Sequence, residues 1–295
     1  MDGVCGEVLT EFRSEDSSRY CSRAVPLPEV WRPWLNQLVA DPALLPGYSV
    51  LKYSKNGKVF RAQFGGGQDP PLDVVCRFSR SDGKGASFLK RSSRAQRNLR
   101  RAVRLLYVGV DTAVPLARIE RTAHPRSSWL VTEFVANVVD LDQIVLSLLP
   151  HLDRRVSHKV RVALSEALVE LIARLEDARL YHRDLKASNI LFTHWDGLGS
   201  AAKSLLVDLD GLHHRNWWSA RRRWQPLVRV AASLRDYPAL CRTDFARFLR
   251  QYLSRVGIST TEWKAHYRRL AREATAYGQR SQRRKSHKLD GFTGS

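Results

Sequence analysis

The chain of 295 residues is 43% apolar and 9% aromatic, enough to bury a core and too much for a generally disordered polypeptide. Its 49 Lys and Arg against 29 Asp and Glu give a formal net charge of +20, so partners are sought among anions: nucleotides, nucleic acid or an acidic lipid surface. Cys5, Cys21, Cys76 and Cys241 lack CxxC or Cys/His ligand spacing, which disfavours a disulfide scaffold or zinc module and makes a reducing compartment the expectation. The apolar run Ile144 to Pro150 is far short of the ~20 residues that cross a membrane. Asp2, Glu7, Glu11 and Glu15 stand where a secretory leader would be basic and then apolar.

Residues 1–47, broken by Pro26, Pro28, Pro33 and Pro46, are expected as an N-terminal extension. Strands are predicted at Ser49 to Tyr53 and Lys58 to Phe64, flanking Ser54-Lys55-Asn56-Gly57, whose Asn-Gly is a strong hairpin signal. A third strand is predicted at Leu72 to Phe78. A basic helix follows from Ser92 to Tyr107, with Leu99, Val103 and Leu106 at helical spacing, then strands at Leu116 to Ile119 and Trp129 to Phe134. The order is β-β-β-α-β-β. Beyond Asp140 the pattern turns helical. Ser157 to Leu180 places Val160, Leu164, Leu168, Leu171 and Leu175 at steps of four and three, with the apolar stretch Leu141 to Leu149 as its packing partner. Trp217 to Tyr277 is helical by pattern, and the polar Gln279 to Ser295 is expected as a basic disordered tail.

The chemistry concentrates after the long helix, in Tyr181-His182-Arg183-Asp184-Leu185-Lys186-Ala187-Ser188-Asn189-Ile190-Leu191 and in Leu205-Leu206-Val207-Asp208-Leu209-Asp210-Gly211. An Asp and an Asn five apart open into one short apolar strand, and a second such strand ends in an acid. The turn from His194 to Ala202 is long enough to set the two antiparallel. Phosphoryl transfer needs a carboxylate beside the acceptor hydroxyl and oxygen ligands that hold Mg²⁺ against phosphates. Asp184 fits the base, Asn189 and Asp208 the metal ligands, and Lys186 a cation near the transferred group.

These two segments resemble the catalytic loop and metal motif of the protein-kinase-like superfamily. The closer resemblance, over about residues 48–215, is to the lipopolysaccharide kinase (Kdo/WaaP/InaA-type) family of bacterial core-sugar kinases. It rests on Val207-Asp208-Leu209-Asp210-Gly211 in place of Asp-Phe-Gly, on Ser93-Arg94-Ala95 through Leu105 to Gly109-Val110, and on Pro115-Leu116-Ala117. Leu130-Val131-Thr132-Glu133-Phe134 before Asp140-Leu141 adds to it. The resemblance implies a bilobed α+β fold, with a β-rich N-lobe over 48–132 and a helical C-lobe over 133–278. It also implies ATP and Mg²⁺, a lipid-linked core sugar (Kdo or heptose) as acceptor, and a location on the cytoplasmic side of the inner membrane. Glu133 to Val135 would be the hinge that binds adenine through its backbone.

Two departures from the kinase pattern stand out. The phosphate-anchoring Lys position falls on Cys76 and its helix Glu position near Asn98. Arg77 is assigned as the nucleotide-phosphate cation, which requires the correspondence to slip by one residue because strand side chains alternate. Lys58 and Lys90 are other cations in reach. A pseudokinase scaffold, a protein Ser/Thr kinase-like enzyme and a basic lipid- or nucleic-acid-binding module stay open as alternatives, although no nucleic-acid-recognition motif is present. Trp217-Trp218 to Arg221-Arg222-Arg223-Trp224 suits either a membrane interface bearing anionic headgroups or a core with solvated arginines. His213 and His214, beside Asp210, read as loop histidines more readily than as metal ligands.

Overall fold

The computed structural model describes residues 4–13, 20–26, 31–54, 57–65, 71–81, 92–121, 126–193, 203–214 and 220–290. The chain divides into two compact units, Met1–Ala136 and Asn137–Ser295.

The first unit is a seven-stranded antiparallel sheet with a helix on each face. Its elements are β1 (Val4–Arg13), β2 (Tyr20–Pro26), α1 (Arg32–Ala40), β3 (Ser49–Ser54), β4 (Gly57–Phe64), β5 (Leu72–Ser81), α2 (Arg94–Tyr107), β6 (Pro115–Arg121) and β7 (Arg126–Glu133), in spatial order β2-β1-β6-β7-β5-β4-β3. The expected β-β-β-α-β-β order is present as β3 to β7 with α2. Alternation along β5 sorts the side chains onto the two faces. Cys76, opposite Phe60 and Val131, joins a core in which Leu35, Leu38 and Leu45 pack on Val74, Ala117, Ile119 and Trp129. Arg77, opposite Val59 and Leu130, lies on the other face, where Ala95 and Leu99 of α2 pack on Leu130. Helix α2 starts where the Ser93 hydroxyl accepts from the Gln96 N–H at 3.0 Å, an N-cap of the usual kind.

The described residues within 1–47 pack on the sheet. β1 pairs with β6 from Val4↔Arg121 to Val8↔Ala117. α1 is pinned by Trp31 stacked on Phe64 at 3.9 Å and by the Trp34 indole N–H donating to the Gln63 carbonyl at 2.9 Å. Pro26 ends β2 and Pro33 sits in the first turn of α1, where the missing N–H costs nothing; Pro28 lies outside the described residues.

The second unit is mainly helical. It contains β8 (Val138–Asp140), the short turn α3 (Leu141–Gln143), α4 (Arg154–Asp177), β9 (Leu180–His182), β10 (Ile190–Thr193), β11 (Lys203–Leu206), β12 (Leu212–His214), α5 (Ala220–Leu234), α6 (Arg242–Arg255) and α7 (Trp263–Asp290). α4 is capped by the Asp153 carboxylate, which accepts from the Arg155 and Val156 N–H groups at 2.8 and 3.1 Å. It ends at Asp177, so Leu180 opens a strand. Leu141 and Val145 share a small apolar cavity with Leu164 and Leu168, the packing the sequence suggests. Residues 279–290, expected as part of a disordered tail, continue α7. After Gly278 this stretch is Gln, Arg, Ser, Lys, His, Leu and Asp without Gly or Pro, and Gln, Arg and Lys favour helix.

Candidate active site

Antiparallel pairing of β10 with β11, Ile190↔Leu206 to Thr193↔Lys203, sets the ends of the two motif segments side by side. The Val207 N–H donates to the Asn189 carbonyl at 3.0 Å, which carries the pairing one step beyond the strands, to the residue before Asp208. Asn189 is buried, and its Nδ2 donates to the Asp184 carbonyl at 2.8 Å. With the amide nitrogen so committed, Oδ1 is the end left to accept a cation, the orientation a metal-binding Asn requires. Asp184 is exposed, and Lys186 Nζ lies 3.6 Å from its Oδ2.

The side chain that joins the segments is His182, completely buried. Its Nδ1 accepts from the Asp184 N–H at 3.2 Å, which leaves Nε2 to carry the proton and donate to the Asp208 carbonyl at 2.9 Å. Burial holds the His182 pKa below its ordinary value, so the ring is neutral and both bonds persist. The Arg229 guanidinium donates to the His182 carbonyl at 3.0 Å, and the Ser233 hydroxyl accepts from the Ala187 N–H at 3.1 Å, so α5 supports the loop from below. Gly211 lies against the imidazole: a Cβ there would sit 2.8 Å from His182 Cε1. Asp208 occupies the left-handed region at φ 59°, which Asp tolerates better than most residues. In the sequence His182 stands out only as one member of the segment Tyr181 to Leu191. Its role could have been suspected from its place two residues before Asp184, after the apolar and aromatic pair Leu180-Tyr181.

In the first unit, Cys76 is fully buried, and burial pushes its thiol far up in pKa; it is an inert core residue. Arg77 is half-buried on the α2 face. Asn98 is buried in α2, where its Oδ1 accepts from Arg101 at 3.1 Å. At the end of β7 the Glu133 N–H donates to the Val114 carbonyl and the Phe134 N–H to the Asp73 carbonyl, whereas Val135 makes no backbone hydrogen bond among the described residues. Beside this segment Arg61 bonds Asp73 through two nitrogens, Nε at 3.3 Å and Nη2 at 2.5 Å, and lies over the Phe134 ring at 4.1 Å. Arg61 holds the Asp73 carboxyl below its usual range.

Residues 87–252 match the lipopolysaccharide kinase (Kdo/WaaP) family. The chain belongs to this family. Membership makes it a kinase-type phosphotransferase of lipopolysaccharide biosynthesis. Among solved structures it is similar to WaaP in complex with acyl carrier protein, at a TM-score of 0.60 and 23% identity over 85% of this chain and 99% of that one, a likeness of fold. Comparison with curated protein sequences gives no match.

For a lipopolysaccharide kinase, the structure brings Asp184, Lys186, Asn189 and Asp208 together in one unit and sets Arg77, Glu133 and Val135 in the other. The described residues hold no group of three or more His, Cys, Asp or Glu fit for a metal. A carboxylate plus an amide oxygen is instead a donor set for hard Mg²⁺, which keeps few protein ligands and takes the rest from phosphate and water. Lys58 lies over the Tyr48, Tyr53 and Phe60 rings, on the α1 face with Phe60 and away from Arg77. Lys90, Trp217, Trp218 and the 194–202 turn lie outside the described residues. Trp224 is buried against His266 at 5.2 Å, a core residue. His213 stacks on Tyr181 at 5.5 Å.

Proposed function

We propose that the protein is an ATP-dependent kinase that phosphorylates a sugar hydroxyl of the lipopolysaccharide inner core, Kdo or heptose. The observation that carries this reading is the hydrogen-bonded set Asp184–His182–Asp208 with Asn189. Bound Mg-ATP would supply the phosphoryl group and the metal's charge. Asp184 would orient the acceptor hydroxyl and take its proton on a carboxylate oxygen, and Lys186, 3.6 Å from that carboxylate, would be the cation near the transferred phosphate. Asn189 Oδ1 and the Asp208 carboxylate would hold the metal. Arg77 serves as the phosphate cation on the α2 face, and the backbone of Glu133 and Val135 takes the base. Catalysis is positioning and charge stabilisation. The net charge of +20 and a lipid-linked acceptor favour peripheral contact with the anionic cytoplasmic face of the inner membrane.

The test is thermal unfolding with and without Mg-ATP, for wild type and Asp208→Asn, followed by transfer of labelled γ-phosphate to Kdo- and heptose-terminated inner-core acceptors. Ligand at ~100 times its Kd stabilises by about 2.7 kcal/mol. A magnesium-dependent shift lost in the variant, with label on one acceptor, is the expected result. Buried Cys76 and Asn98 favour a second reading, a pseudokinase. Folded protein that binds no nucleotide, or binds it and transfers nothing to any acceptor, would select that reading.

A further inference from the structure

Away from the site residues, α6 and the first turns of α7 border two grooves of about 380 and 750 Å³. Both are lined by Thr243, Ala246 and Trp263, so they form one continuous surface. Arg242, Lys264 and Arg268 line one part, and Arg247, Arg250 and Arg255 the other; no carboxylate lines either. Two of these cations are already neutralised, Arg247 by Asp244 and Arg255 by Glu170 and Asp177. Arg242, Arg250, Lys264 and Arg268 make no ion pair among the described residues. Four uncompensated cations along one face repel one another, an arrangement that an anionic partner relieves.

The aromatic content narrows the partner. Trp263 and Tyr267 are half-buried, with ring centroids 6.4 Å apart edge to face, and Arg250 lies over Trp263 at 5.9 Å. With that face occupied, Trp263 is poorly placed to stack a nucleic-acid base. A tryptophan flanked by arginines and lysine, half in apolar packing and half in water, suits the headgroup zone of a bilayer. We propose that the α6/α7 groove is the surface by which this protein docks on anionic phospholipid, its cations on headgroup phosphates and Trp263 at the acyl boundary. The proposal rests on the membrane contact proposed above and gives it a location.

The experiment is co-sedimentation of the full chain with phosphatidylglycerol–phosphatidylcholine vesicles and with phosphatidylcholine vesicles alone. Wild type is compared with Arg242→Glu/Arg250→Glu/Arg268→Glu and with Arg154→Glu/Arg155→Glu, two exposed α4 arginines that lack acid partners. Each cation near an anionic leaflet is worth about fivefold in partition. Three groove cations lost should therefore cut binding to phosphatidylglycerol vesicles by about a hundredfold, while the control, away from the docking surface, changes about two- to threefold. All three proteins should stay folded, with the groove variant melting at most slightly lower for loss of the Arg250–Trp263 ring contact, because none of these arginines is ion-paired among the described residues. Bromolipid quenching of tryptophan emission should drop in Trp263→Phe. Equal losses in groove and control variants, or unchanged quenching in Trp263→Phe, would overturn the groove assignment while leaving membrane contact standing. Failure of wild type to bind phosphatidylglycerol vesicles would overturn the membrane reading together with it. Polyglutamate binding that the groove variant loses, in a protein that ignores vesicles, would give the groove to an acidic protein instead.

Discussion

In the second unit, the residues assigned to chemistry lie close in sequence and share hydrogen bonds. Asp184, Asn189 and Asp208 are joined through the His182 ring, the Asn189 amide and two paired strands. In the first unit, the residues assigned to the nucleotide come from β5, the end of β7 and the segment just after it, and the positions proposed for the Lys–Glu pair of a protein kinase hold buried Cys76 and buried Asn98. A site closed by backbone hydrogen bonds tolerates little change. On the proposed reading a sheet face only has to present charge, and Arg77, one step along β5 from Cys76, stands on the α2 face. The contrast separates a part whose geometry is the chemistry from a part whose charge is.

The sharpest way to break that contrast is at the connected end. Asp184→Ala should abolish phosphoryl transfer, by about a thousandfold or more, with little change in nucleotide-dependent stabilisation, as single-turnover kinetics and thermal shift will show. His182→Ala removes two hydrogen bonds and opens a cavity, so it should lower stability by about 2–4 kcal/mol and transfer by at least tenfold; denaturant unfolding measures the first. Gly211→Ala should reproduce that effect in milder form, at about 1–3 kcal/mol, by pushing the imidazole aside.

At the sheet, substitutions of Arg77 should have smaller effects, confined to nucleotide binding. Arg77→Ala should raise KM for ATP several-fold with kcat nearly unchanged, and Arg77→Lys should restore most of it if charge alone matters. Cys76→Lys, which rebuilds the kinase pattern on paper, should instead cost several kcal/mol by burying an unpaired charge and should not improve ATP binding; a chevron plot and a titration settle both. The smallest effect concerns Tyr237, whose hydroxyl donates to Asp142 Oδ1 at 2.8 Å. Burial and Asp142 raise its pKa to about 12. Between about pH 10 and 12 the unfolded tyrosine has lost its proton and the folded one has not, so stability should fall as pH rises through that window. Tyr237→Phe should flatten the fall, as urea midpoints across the range would report.

The legibility of the two units in sequence follows the same division. Asp184, Asn189, Asp208 and their strands could be read because the interactions are local: five residues of loop, two strands, one turn. α2 and α4 could be read because each carries an apolar stripe and a side-chain cap. The pairing of β1 with β6 could not, because it joins residues more than a hundred apart in a stretch whose prolines signal interruption. The sheet face of Arg77 could not be assigned without knowing which face α2 covers. His182 is not legible because a buried histidine shows nothing unusual in sequence until its two partners are known, and Arg61 is not because its partners, Asp73 on β5 and Phe134 just after β7, are distant in the chain.

The junction of β1 with β6 bears on how the protein can be handled. The family match begins at residue 87, and trimming to that boundary would discard five of the seven strands. Trimming only to residue 48 would strip β1 from β6 and leave a run of unpaired backbone amides and carbonyls along the sheet margin, the template on which chains add to one another. A shortened protein of that kind should form soluble oligomers or inclusion bodies even with every site residue intact, and loss of activity in it would report self-association rather than chemistry.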